Sequence, residues 1–187
     1  MDRPVHRIVL LGPAHRYPLR GVATHSAAFF ATPLGRVPVE RTDLPVLDAA
    51  HAQEHSLEVH LPFLQVLFGE FRLVPVVVGD ASADEVADVL ERLWGGPETL
   101  IVISSDLSHY HDYETARQMD SSTSQAIEQL RPEDISYEHA CGCNPIKGLL
   151  HIARERGLNA RTIDLRNSGD TAGPGDQVVG YGAFVFE

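Results

Sequence analysis

Three short runs constrain this chain more than anything else in it: Arg7-Ile8-Val9-Leu10-Leu11-Gly12, Phe71-Arg72-Leu73-Val74-Pro75-Val76-Val77-Val78-Gly79 and Thr99-Leu100-Ile101-Val102-Ile103-Ser104. Each is apolar on successive residues and ends in glycine or a small polar group. A strand with water on one face alternates apolar and polar side chains. Runs without alternation suit a sheet covered on both faces, which is the habit of parallel strands. A further run, Val178 to Phe186, predicts a strand near the carboxyl end.

Helical signals lie between these runs. Ser82-Ala83-Asp84-Glu85 is a capping box, and Val86, Val89, Leu90 and Leu93 follow at helical spacing. Residues 56–68 set Leu57, Leu61, Leu64 and Leu67 or Phe68 on one face, with Ser56 as N-cap and Pro62 limiting the helix. Residues 144–156 open on Asn144-Pro145, carry Ile146, Leu149, Leu150 and Ile152, and stop at Gly157. Strands alternating with helices predict an α/β fold: one domain over residues 1–187, with a largely parallel or mixed central sheet flanked by helices. A length of 187 residues agrees with that count.

Composition narrows the partners. Fifteen Lys and Arg against 26 Asp and Glu leave a net charge of −11, which disfavours non-specific nucleic-acid binding. No apolar run is long enough to cross a membrane, and the amino terminus lacks the apolar core of a signal peptide. Cys141 and Cys143 are too close in sequence for an unstrained bridge, and two cysteines make no disulfide framework. Reduced thiols in a cytoplasmic protein are the expectation.

Polar groups gather where strands or helices begin and end. Gly12-Pro13-Ala14-His15-Arg16 follows the first strand, Ser104-Ser105-Asp106-Leu107-Ser108-His109-Tyr110 follows the third, and Ala140-Cys141-Gly142-Cys143 precedes a helix. Imidazole, carboxylate and thiolate suit iron, copper or zinc, and imidazole also serves as a general base. In an α/β fold such segments can meet beyond the carboxyl ends of the strands. His15, His109 and Cys141 are therefore expected in one pocket, with Asp106 and His55 at its wall. His51 and His55 would share a face if their segment were helical, although a solvated helix entry explains the same residues. Asn167-Ser168-Gly169-Asp170 and Gly173-Pro174-Gly175-Asp176 make a polar loop, either a lid or a plain connection. Phosphate-loop, dinucleotide, zincin and nucleophile-elbow patterns are all missing.

In combination these segments resemble the MEMO-like family, whose bacterial members are called AmmeMemoRadiSam system protein B. The resemblance runs in family order through Gly12–Arg16, Thr32-Pro33-Leu34-Gly35, Glu54–Leu64, Val74–Gly79, Ser104–Tyr110, Cys141-Gly142, Asn167–Asp170 and Val178–Tyr181. It implies a fold related to the class III extradiol ring-cleaving dioxygenases. It also implies a pocket holding Fe(II) or Cu, with His15 and Cys141 as metal ligands. His109, with Asp106 beside it, takes the place of the proton-handling histidine, while His55, Glu58 and Arg16 line the substrate pocket. The family's Pro-His-Ala-Gly-Tyr motif, which carries a further ligand, does not occur between Met1 and Glu187. The expectation is therefore a member lacking the family's first strand, with His6 and His25 as available substitutes. The family name further implies a pathway link to radical-SAM and AMMECR-type proteins.

Three readings of function follow. The first is a metal-dependent redox protein or non-haem oxidoreductase acting on an unassigned small molecule. The second is a non-catalytic protein that recognises a peptide or a partner with the same pocket. The third, an active extradiol dioxygenase, is disfavoured because Cys141 stands where a carboxylate belongs.

Overall fold

The apolar run at the amino end becomes the spine of a mixed sheet. In the computed structural model, which describes residues 5–171 and 173–187, the chain forms two compact units, residues 1–104 and 105–187. The first contains β1 (Arg7–Pro13), β2 (Val22–Ala23), β3 (Phe29–Thr32), β4 (Gly35–Pro38), α1 (Asp48–His51), α2 (Leu61–Phe68), β5 (Arg72–Val78), α3 (Ala83–Leu93) and β6 (Thr99–Ile103). Its main sheet has the order β2-β5-β1-β6. β1 runs parallel to β5, with Arg7 opposite Arg72, and parallel to β6, with Arg7 opposite Thr99. Only the short β2 is antiparallel.

Burial explains the lack of alternation in these strands. Ile8, Val9, Leu10 and Leu11 are all fully buried, so both faces of β1 are covered. On one side Ile8 and Leu10 join Leu57, Leu61, Leu64, Leu73 and Val77 in a core against which Phe68 packs. Pro75 pairs with Leu10 of β1, whereas β2 reaches only Val77 and Val78 of β5. The proline thus stands where its missing N–H breaks no ladder on the β2 side.

The helices of this unit follow the sequence with two differences. α3 starts at the capping box, Ser82 and Glu85 bonding reciprocally, and buries Val86, Val89, Leu90 and Leu93. The segment 56–68 is shorter than its periodicity suggests. A 3₁₀ turn at Glu58–His60 leads into α2, whose first turn holds Pro62. Leu57, Leu61 and Leu64 are buried, but Leu67 is 72% exposed and Phe68 takes the inward place. Ser56 is no N-cap, because its hydroxyl donates to the Pro13 carbonyl at 2.9 Å.

The second unit contains β7 (His109–His111), α4 (Tyr113–Glu128), α5 (Cys143–Arg156), β8 (Ala160–Asn167) and β9 (Val178–Phe186). Its sheet has the order β7-β9-β8, and both pairings are antiparallel. The last strand therefore does not extend a parallel sheet: the connection between β8 and β9 holds a 3₁₀ turn and no α-helix among the described residues, which favours an antiparallel return. α4 packs on this sheet through β8 and β9. Its N-cap is Asp112, whose carboxylate accepts from the Thr115 N–H at 3.1 Å. α5 begins after Gly142 and ends at Gly157, whose φ of +66° is the left-handed conformation that glycine adopts at low cost.

Candidate metal centre

In the first unit the chain leaves β1 into a loop fixed from two sides. The Ala14 N–H donates to the Val78 carbonyl at 2.9 Å, and Ser56 holds the Pro13 carbonyl. Gly12 is required here, since a Cβ would lie 2.7 Å from Ser56 Oγ and 2.9 Å from Leu57 Cδ2. His15 follows, and its N–H donates to Glu54 Oε2. His15 Nδ1 lies 3.0 Å from Glu54 Oε1, and the His55 and Ser56 N–H groups donate to the same oxygen at 2.9 and 3.0 Å. The His55 ring stacks on that of His15, with centroids 5.4 Å apart and planes 14° from parallel.

Glu54 is the buried member of this group; its side chain is 1% exposed. Burial pushes its carboxyl up, but the hydrogen bonds from His15 and Ser56 outweigh that cost and hold it at about 2. The sequence marked His15 and His55 and left Glu54 without a role, although a carboxylate beside His55 in the Glu54-His55-Ser56 stretch was the available signal. Arg16 and Glu58 are exposed, and neither bonds to this group among the described residues. His51 does not pair with His55. It ends α1, reaches the Ala23 carbonyl at 3.2 Å, and meets the His25 ring edge-on.

In the second unit Asp106, His109 and Cys141 come together. Each offers one ligand atom, and those atoms lie within 4.8 Å of one another. The Asp106 N–H donates to Cys141 Sγ at 3.3 Å, the Cys141 N–H returns to the Asp106 carbonyl at 3.3 Å, and His109 Nε2 lies 3.7 Å from Asp106 Oδ2. Ser105 Oγ is 3.8 Å from the same sulfur and accepts the Gly142 N–H at 2.8 Å. Burial nevertheless pushes the Cys141 thiol up, and it pushes up Cys143 as well, so nearness to the α5 start does not prevail at either cysteine.

Beyond His109 the strand bulges, and Tyr110 takes a φ of +62°, a conformation that is costly for a bulky residue. Asp120 of α4 supports this segment from beneath: it is 2% exposed and accepts the Ser108 N–H at 2.9 Å. The polar loop at 167–170 is an ordered connection, a 3₁₀ turn capped by Asn167 and bonded by Tyr113 Oη to Asp170 at 2.6 Å. The stretch 173–176 follows Ala172, which lies outside the described residues. A cleft of about 740 Å³ lies beside α4 and β8; of its arginines, Arg166 pairs with Asp164 within the cleft and Arg117 with Glu114 outside its lining.

The donor chemistry of both groups fits a transition metal. Imidazole nitrogens and a thiol sulfur suit iron, copper or zinc, while carboxylates add charge balance. No helix among the described residues is long and apolar enough to cross a membrane.

Comparison with known proteins agrees with the motifs. A MEMO1 family protein of Thermotoga maritima is 35% identical over 93% of this chain and 69% of its own length. One from Aeropyrum pernix is 35% identical over 94% of this chain and 70% of its own. A MEMO1 family protein of Thermoplasma acidophilum is 33% identical over 97% and 74%. The family model described as Memo-like protein matches residues 1–185. The α/β architecture with its mixed sheet is compatible with the extradiol dioxygenase-like fold expected of such proteins. The chain belongs to the Memo-like protein family.

Proposed function

We propose that this chain is a metal-binding protein that serves as a non-haem redox protein or oxidoreductase. Its candidate ligands, each taken within its own unit, are His15 and Cys141, its metal is Fe(II) or Cu, and its substrate is a small molecule. The observation that carries this reading is the meeting of Asp106, His109 and Cys141, with ligand atoms within 4.8 Å of one another. Family membership and the His15 group in the first unit support it.

Bound iron or copper would supply one-electron exchange, which no side chain here provides. The chain's own residues supply the rest. Cys141 offers a sulfur already receiving the Asp106 N–H. His109 is placed to hold or release a proton at Nε2, which lies 3.7 Å from Asp106 Oδ2.

The test is metal analysis of untagged protein after anaerobic loading with Fe(II) or with Cu, repeated on His15→Ala and Cys141→Ser. Stoichiometric metal in the wild type and loss in both variants is expected. Folded wild type that retains no metal would favour the non-catalytic binding protein. An oxygen-consumption screen with catechols addresses ring cleavage, which is expected to be absent because a thiol replaces the usual carboxylate.

A further inference from the structure

We propose that Glu54 is a positioning residue that fixes His15 in its Nδ1–H tautomer and so leaves Nε2 as the ring nitrogen free to bind. The inference rests on the metal-binding reading for its purpose, but its geometry stands without it. Glu54 Oε1 sits 3.0 Å from His15 Nδ1, while Oε2 takes the N–H of the same residue. One carboxylate therefore holds both the backbone and the ring of His15. A neutral imidazole carries its proton on one nitrogen only, and the other is an acceptor. An ionised carboxylate has no proton to give, so the nitrogen facing it must be the donor. Both Glu54 oxygens already accept backbone N–H groups, Oε2 that of His15 and Oε1 those of His55 and Ser56, so the carboxylate faces His15 Nδ1 as an acceptor.

The remaining contacts make the carboxylate itself immobile. Oε1 also receives the His55 and Ser56 N–H groups, and the side chain is 1% exposed. Ser56 is in turn tied to the Pro13 carbonyl and packed against Gly12, on the strand that delivers His15. Glu54 is thus bonded into both segments it joins. With its oxygens engaged by four N–H directions, it is poorly placed to act as a ligand. No hydrogen bond engages His15 Nε2 among the described residues, and the ring is one-third exposed. A histidine that binds metal through one nitrogen while donating the other N–H to a carboxylate is oriented and made more basic. His55 stacks on the same ring and restricts its rotation.

The experiment uses the full chain, metal-free and labelled with ¹⁵N-histidine, at about pH 8 where imidazole is ordinarily neutral. Long-range ¹H–¹⁵N correlation reads the tautomer, and His15→Gln identifies the signal. A locked Nδ1–H tautomer at His15 is expected. An Nε2–H ring, or an averaged signal like that of free histidine, would overturn the proposal. In Glu54→Ala the signal should relax toward averaging, and Co(II) affinity should fall by roughly 10–100-fold. A folded Glu54→Ala protein with unchanged tautomer and unchanged Co(II) affinity would also overturn it. Should that variant fail to fold, the wild-type spectrum alone decides. A locked tautomer in wild-type protein that binds no Co(II) supports the positioning role and counts against the metal-binding reading instead.

Discussion

The backbone N–H of Asp106 points at the sulfur of Cys141, 3.3 Å away, and the Cys141 N–H returns the contact to the Asp106 carbonyl. Ser105 closes the arrangement, its hydroxyl near the sulfur while accepting the Gly142 N–H. Replacing Ser105 by Ala removes one contact to the thiol and leaves the Gly142 N–H without its acceptor. Stability should fall by about 0.5–1.5 kcal/mol, read from the urea midpoint. Metal affinity should fall by roughly tenfold in a chelator titration.

Cys141 should also be the first thiol alkylated. It is part-exposed, whereas Cys143 is 1% exposed at the start of α5 and its Sγ faces Asn144 Oδ1 at 3.5 Å. Because burial pushes both thiols up, labelling by iodoacetamide should be slow at neutral pH and accelerate as pH rises. Peptide mapping after limiting reagent in metal-free protein gives the order. Bound metal should protect Cys141 and leave Cys143 unchanged.

The parts of the fold that were legible in the sequence are those where one interaction dominates. β1 and β5 are buried on both faces and β6 is half-buried along its whole length, so their composition alone marks them. α3 combines a capping box with a clear apolar stripe. What escaped was built from mixed interactions. α4 buries Asp120, Thr123 and Ser124 beside Ala126 and Ile127, so no apolar stripe announced it. β8 alternates half-buried and exposed residues, and its role depends on pairing with β9. The site follows the same rule. Histidines and cysteines stand out as residue types, but Glu54 acts through four N–H groups from three residues. Only folded geometry brings those together.

Glu54 also sets an acid limit on stability. Its carboxyl is held at about 2, below the ordinary 4.5, so the unfolded state takes up the proton first as pH falls. The stabilisation is complete above the unfolded value and is lost as pH drops through 4.5 toward 2. That shift corresponds to about 3 kcal/mol. Urea midpoints of wild type and Glu54→Ala should differ widely near neutral pH and converge at the acid end. A constant difference across the range would remove the charge from the explanation and leave packing.

Asp120 carries the opposite sign. Burial raises its carboxyl, while the Ser108 N–H and the nearby His109 and His111 only partly offset that. The folded state therefore prefers the protonated form. As pH rises past the ordinary 3.8, the unfolded chain releases its proton first, and stability declines until the folded group ionises too. Asn is nearly isosteric and keeps an acceptor for the Ser108 N–H, so Asp120→Asn should raise the urea midpoint near neutral pH. The gain should vanish in acid, where both side chains are neutral. Room for either is set by Gly180 on β9, where a Cβ would come within 2.0 Å of Asp120 Oδ2. Gly180→Ala should thus cost about 1–3 kcal/mol by overpacking. It should also loosen the segment bearing His109, because the Gly180 N–H donates to the Ser108 carbonyl and its own carbonyl accepts the Leu107 N–H, both at 2.8 Å. Amide exchange at Leu107 and Gly180 reads that loosening directly. Faster exchange in Gly180→Ala with unchanged exchange in Asp120→Asn is the expected pair of results. Faster exchange in both would mean that the charge of Asp120, rather than its shape, holds the segment in place.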